Sequence, residues 1–176
     1  MTTEKLIPAS SADEREIQLF LYREARLLDD GEQREWLSSM VHPEIHYEVV
    51  IAQERARRDE TADDKYAVKP FDDDYAALDL RVSKFETGLE WMSDPRPRMR
   101  RFVSNIEAYV GDREGDYRVF SNGQVVRSRR VYEHVSFTFG RQDTIRRVGD
   151  GELRLVKRRI KFDQRFVLDK NIMFFM

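Results

Sequence analysis

The chain has 176 residues, 40% of them hydrophobic and 36% charged, with a formal net charge of −2 and no cysteine. That length suits a single domain, 1–176, able to bury about two-thirds of the surface its unfolded form exposes. Lacking cysteine, the chain by itself excludes disulfides, thiolate nucleophiles, zinc sites of the Cys type and cysteine-ligated iron–sulfur clusters; lacking a long uncharged apolar run, it carries no sign of a membrane helix.

The near-neutral total hides a division. Residues 1–95 hold 12 Lys and Arg against 23 Asp and Glu, and residues 96–176 hold 19 against 10, so the halves carry −11 and +9. Binding to nucleic acid needs an uncompensated basic face; mutual attraction of the halves, within the fold or between copies and partners, is the better reading, and neither nucleic acid nor membrane is expected as a partner. The start, MTTEKLIPASSADER, has no secretory pattern. A cytoplasmic protein with a flexible tail over about residues 1–10 is expected.

SADE, Ser11 to Glu14, has capping-box spacing and predicts a helix, with Ile17, Phe20, Leu21, Leu27 and Leu28 forming its apolar stripe to about residue 29. Asp30 followed by GEQREWLSSM predicts a second, shorter helix with Trp36, Leu37 and Met40 inward. EIHYEVVIA, Glu44 to Ala52, follows Pro43 and is rich in β-branched and aromatic residues, as a strand is. The charged stretch Gln53 to Pro70 reads as a long loop, and FDDDYAALDLRVSKFETG as a helix with Tyr75, Leu78, Val82, Phe85 and Leu89 on its apolar side.

WMSDPRPRMRRFVSN then makes a joint. Pro95 and Pro97 forbid helix continuation, and Met99, Phe102 and Val103 begin a sheet. Arg98 and Arg100 share one parity and are expected to pair with carboxylates of neighbouring subunits, with Arg96 more exposed. From there three strand runs follow, 99–110, 116–148 and 152–168, with Asp150-Gly151 as a hairpin signal. Helices first and a long, mainly antiparallel sheet afterwards define an α+β class. Long strands twist and curl, so the helices should fill the concave face of a cone.

The histidines are His42, His46 and His134. HPEIH places two of them four apart beside Glu44 and Glu48, nominally a two-histidine, one-carboxylate iron set; surface residues at the rim of the first strand are the plainer reading, and no metal ligand is assigned. Acid–base work in a cone would draw on His134, Tyr47, Tyr132 and Asp163, with Asp163 the best placed in IKFDQRF. A lone Asp among arginines is more often an ion-pair partner, and no catalytic or cofactor-binding residue is assigned. The arginines of RRIKF, RSRR and DTIRR alternate with apolar residues, as on a solvated outer sheet face, and Phe137 and Phe139 fall on one core parity. NIMFFM is too apolar for a frayed end; Phe174 and Phe175 should be buried at the sheet edge or under a neighbouring subunit.

In order and spacing, EARLLDDGEQREWL, IHYEVV, DLRVSKFETGLEW, DPRPRMRRFVSNI, GRQDTIRRV and RRIKFDQRFVLDKNIMFF resemble the small (beta) subunit of the aromatic-ring-hydroxylating dioxygenases, the Rieske non-haem iron oxygenases. The likeness runs from about Glu14 to Phe175. It implies a fold of the NTF2-like or cystatin-like type and a structural, non-catalytic role beside a large (alpha) subunit that carries the Rieske [2Fe-2S] cluster, the mononuclear Fe(II) and the substrate pocket. It further implies an α3β3 assembly in which beta subunits also touch one another, with electrons reaching alpha from a ferredoxin and reductase. The alternative is a free-standing isomerase or dehydratase of the same fold, using Asp163 or His134.

Overall fold

The computed structural model describes residues 6–51, 68–87, 97–131, 133–149, 151–163 and 174–176. Three helices, α1 (Ser11–Asp30), α2 (Gln33–Met40) and α3 (Tyr75–Glu86), lie against one sheet of six strands. The strands are β1 (Val41–Ile51), β2 (Val68–Asp73), β3 (Arg98–Val110), β4 (Asp116–Arg129), β5 (Glu133–Val148) and β6 (Glu152–Phe162), ordered β2-β1-β6-β5-β4-β3. All neighbours are antiparallel except β1 and β6, which run parallel in the middle of the sheet. The fold is the expected α+β arrangement of helices on one face of a long, mainly antiparallel sheet.

Local chemistry sets the element ends. Ser10, one residue before the expected cap, accepts from the Asp13 amide and donates to the Asp13 carboxylate at 2.6 Å; Asp13 takes the part assigned to Glu14. Helix α1 stops where Gly31 adopts φ 85°, a left-handed conformation that glycine enters without a Cβ penalty, and the Glu32 amide closes the turn on the Leu27 carbonyl at 2.8 Å. Consequently α2 is capped at Glu32 and not at Asp30.

Strand β2 was not expected: Val68–Asp73 read as loop end and helix start. Its single neighbour β1 makes it an edge strand, the one place where Pro70 costs no ladder bond. Asp74 then caps α3 by accepting from the Ala77 amide at 2.9 Å. The 116–148 run is two strands, turned at Arg130, which has φ 56°. Gly149 and Gly151, both at positive φ, form the expected turn from β5 to β6. At the other edge, residues 7–9 do not hang free: Val110 donates to the Ile7 carbonyl at 2.8 Å, and Ala9 to the Ala108 carbonyl at 3.0 Å.

The core lies between helices and sheet. Ile17, Leu21 and Leu28 of α1 and Trp36, Leu37 and Met40 of α2 are buried as their periodicity predicts, against Phe137, Phe139, Ile145, Leu155, Ile160 and Phe162 of the sheet. Gly123 of β4 sits directly across from Phe139, whose ring lies where a Cβ would be, 2.2 Å away. Gly123→Ala is expected to push that ring off its rotamer and destabilise the chain by about 1–3 kcal/mol. Urea unfolding reads this, and a midpoint equal to that of the parent would refute it.

Candidate functional site

The inner face is not wholly apolar. Helix α1 presents Ile17, Leu21, Glu24 and Leu28 to the core, so a glutamate occupies one position of an otherwise hydrophobic stripe. Opposite it stand Arg141 and Asp143 of β5 and Arg158 of β6, all buried. Arg158, at 0% exposure, spends all five of its N–H groups. Nε and Nη2 donate to Asp143 at 2.9 and 2.8 Å, Nη1 and Nη2 to Glu24 at 2.7 and 2.8 Å, and Nη1 also to the Met176 carbonyl at 2.8 Å. Glu24 is completed by the indole N–H of Trp36 at 3.0 Å and by Arg141 at 3.4 Å. Two arginines and two carboxylates leave the cluster neutral, the condition under which charges persist out of water.

Burial alone would push the Glu24 carboxyl up, but Arg158 and then Arg141 outweigh it and hold Glu24 below the ordinary 4.5. Burial would pull Arg158 down, yet Asp143 and Glu24 keep its guanidinium well above the ordinary arginine value. For Arg141 burial wins, helped by repulsion from Arg158, and its affinity for the proton is lowered. Because the folded pKa of Glu24 is depressed, its ionised form adds stability that is fully present above about pH 4.5 and is lost as pH falls through the lower folded value. Glu24→Gln should therefore lose less stability than the parent on acidification from about pH 5 to 3. Equal losses in urea titrations across that interval would contradict the assignment.

The residues 174–176 close this face. Phe175 stacks on Trp36 with ring centroids 4.7 Å apart and meets Phe85 at 6.0 Å and Tyr47 at 6.5 Å; Phe174 packs on Phe137 at 5.2 Å. The Tyr47 hydroxyl donates to the Met176 carbonyl at 3.1 Å and accepts from the Met176 amide at 2.9 Å. Burial pushes the Tyr47 hydroxyl up, so it stays protonated as a donor. Phe174 and Phe175 are buried as expected, in the core and not at the sheet edge. A cavity beside Glu24, Arg101, Arg141 and Met176 is about 10 Å³, room for one water.

The proposed acid–base residues do not meet there. His134 is exposed on β5, 3.3 Å from Ser128 Oγ, and Asp163 is exposed just past β6. Tyr47 alone reaches the inner face, and Tyr132 lies outside the described residues. His42 and His46 also part: His42 Nδ1 accepts from the Glu44 amide at 3.1 Å, while His46 Nε2 pairs with Asp72 at 2.6 Å. His46, Glu48 and Asp72 cluster closely enough to suggest a cation site, but Lys69 Nζ already stands 2.7 Å from Glu48 and 3.8 Å from Asp72.

The expectation that the arginines of RRIKF face solvent fails at Arg158, which is buried. Alternation from Leu153 and Leu155 points Lys157 inward and Arg158 outward. A register shift opposite Thr144 and Ile145 inserts one extra residue into β6, and every side chain after it changes face. In the basic joint, residues 91–96, including Trp91 and Arg96, lie outside the described residues. Arg98 and Arg100 are exposed, Arg100 reaching Asp29 of its own chain at 3.5 Å, and the arginine that is drawn in is Arg101, on the other parity. It pairs with Asp29 at 2.7 Å and donates to the Phe175 carbonyl through Nη2 at 2.7 Å. The acidic and basic halves meet inside one chain: Glu24 with Arg158, Asp29 with Arg101, Glu16 with Arg147, Glu44 with Arg146.

A three-helix layer on an open six-stranded sheet with this parallel β1–β6 contact is the cystatin-like class of α+β fold. A protein from Nostoc punctiforme described as having a cystatin-like fold superposes with a TM-score of 0.55, at 16% identity over 89% of this chain and 96% of that one. Within that class the relationship is narrower. The family described as ring hydroxylating beta subunit matches residues 23–169. Biphenyl 2,3-dioxygenase subunit beta of Rhodococcus jostii (strain RHA1) is 33% identical over 175 residues, 97% of this chain and 92% of that one. A chain of naphthalene 1,2-dioxygenase, solved with indole bound in its active site, superposes with a TM-score of 0.86 at 27% identity over 96% of this chain and 88% of that one. The chain belongs to the ring-hydroxylating dioxygenase beta-subunit family.

Proposed function

We propose that this chain is the structural beta subunit of an aromatic-ring-hydroxylating dioxygenase of aromatic hydrocarbon catabolism, a non-catalytic partner of an alpha subunit that performs the oxygenation. The family match over residues 23–169 carries the reading. The chemistry of the inner face supports it: Glu24 is held ionised with all its partners in place, Arg158 has no free N–H, and about one water fits beside them. A carboxylate so engaged is a poor base, and the cavity beside it among the described residues is the size of a water.

The redox groups belong elsewhere in this reading. A Rieske centre takes two Cys and two His, and the chain has no Cys, so the [2Fe-2S] cluster is assigned to alpha, and the family likeness assigns the mononuclear Fe(II) there with it. The expected assembly is α3β3 in the cytoplasm, with beta subunits touching alpha and one another and with ferredoxin and reductase acting on alpha. No helix among the described residues is long and apolar enough to cross a membrane. The whole of 1–176 acts as a single domain in that complex.

Co-expression with a large subunit carrying a C-x-H…C-x-x-H pattern tests the proposal. A stable complex of both chains that oxygenates an aromatic substrate, with activity lost when this chain is omitted, is the expected result. Purification of this chain as a monomer or dimer that never joins a large subunit would remove it.

A further inference from the structure

The residues 174–176 are held as a ligand is held. They belong to no helix or strand, and the groups that grip them come from six separate elements: Trp36 of α2, Tyr47 of β1, Arg81 and Phe85 of α3, Arg101 of β3, Phe137 of β5 and Arg158 of β6. The Phe175 ring lies in an aromatic cage closed by the Arg81 guanidinium, 4.5 Å from its centroid. The two carbonyls flanking that ring each receive two donors. Arg101 gives Nε at 3.1 Å and Nη2 at 2.7 Å to Phe175; Arg158 gives Nη1 at 2.8 Å and Tyr47 its hydroxyl at 3.1 Å to Met176. Core side chains pack against one another, but buried arginines aimed at main-chain oxygens are the equipment of a recognition site for an aromatic ring next to oxygen acceptors.

We propose that the helix-covered face of the sheet is a binding site for an aromatic residue flanked by carbonyl or carboxylate oxygens, which the chain fills with its own Phe174–Met176, and that the emptied site takes an aromatic peptide in trans. The cage and the donors stand on helices and strands outside the segment. Arg158 is further held by Glu24 and Asp143, and Arg101 by Asp29, so neither guanidinium depends on the segment for its charge partner. An emptied site would keep both guanidinium groups paired.

The test uses the full chain, the chain lacking residues 174–176, and the peptide acetyl-Phe-Phe-Met. Deletion should lower the thermal midpoint. Peptide should restore it saturably, by about 5–10 °C at roughly 100 times its dissociation constant, with a matching change in tryptophan emission from Trp36; acetyl-Phe-Ala-Met should not. The full-length chain should ignore both peptides. An unmoved midpoint on deletion, equal action of the two peptides, or a deleted chain that stays unfolded when refolded with acetyl-Phe-Phe-Met would each overturn the proposal. Phe175→Ala in the full chain gives a second reading: the vacated cage should bind benzene and melt higher in its presence, as an apolar cavity of ring size does. Identical melting with and without benzene would count against the cage as a site.

Discussion

Arg158→Met is expected to remove most of the stability of this chain. The methionine matches the length of the arginine stem but leaves Glu24 and Asp143 facing each other with only Arg141 between them, 3.4 and 3.2 Å away. Breaking a buried ion pair by deleting one partner costs about 3–5 kcal/mol, against a total of about 5–15 kcal/mol for a domain. The Met176 carbonyl would lose one of its two donors as well, keeping only the Tyr47 hydroxyl. The doubly changed chain Arg158→Met/Glu24→Leu leaves the neutral pair Arg141 and Asp143, and should be more stable than Arg158→Met alone although it carries one more substitution. Urea unfolding of the two variants and the parent measures this coupling. A single variant within about 1 kcal/mol of the parent would show that the cluster is not what holds α1 to the sheet.

Trp36→Ala should come next, at about 3–5 kcal/mol. The indole is fully buried, stacks on Phe175 and donates to Glu24 at 3.0 Å, so its removal leaves a cavity and an under-satisfied carboxylate together. Trp36→Phe separates the two effects. It keeps a ring against Phe175 while losing the donor and part of the indole's bulk, and should cost about 1–3 kcal/mol, in the range for a buried acceptor left with one partner fewer. If Trp36→Phe proves as damaging as Trp36→Ala, the hydrogen bond to Glu24 and not the ring governs the site. Both variants remove the indole donor that helps hold the Glu24 carboxyl down, so they should lose less stability than the parent on acidification.

Much of the architecture is written in periodicity. The inward faces of α1 and α2 follow from residues spaced three and four apart, and the strand content after residue 98 follows from alternation. What alternation cannot convey is register. One extra residue in β6 exchanges the faces of Lys157 and Arg158, and with them the identity of the buried cation. The parallel contact of β1 with β6 joins segments more than 100 residues apart, which no local pattern announces. Glu24 was legible in principle, because a glutamate in step with Ile17, Leu21 and Leu28 is out of place unless something answers its charge. Arg141 and Asp143 were legible in the same way, sharing the parity of Phe137, Phe139 and Ile145. β2 was hidden by Pro70 and the acidic residues around it, which suit an edge strand as well as they suit a loop.

The position of β1 between β2 and β6 has a consequence for how the molecule is made. Translation produces α1, α2 and β1 first, with their surplus of carboxylates, yet the ladder partner of β1 on one side and the arginines that neutralise Glu24 and Asp29 all lie beyond residue 100. Glu24 must wait in water for Arg158, and closing so long a loop is entropically costly until the late strands arrive. The acidic surplus keeps the waiting half apart from other nascent copies of itself, and it becomes a source of cohesion only when the basic half emerges from the ribosome.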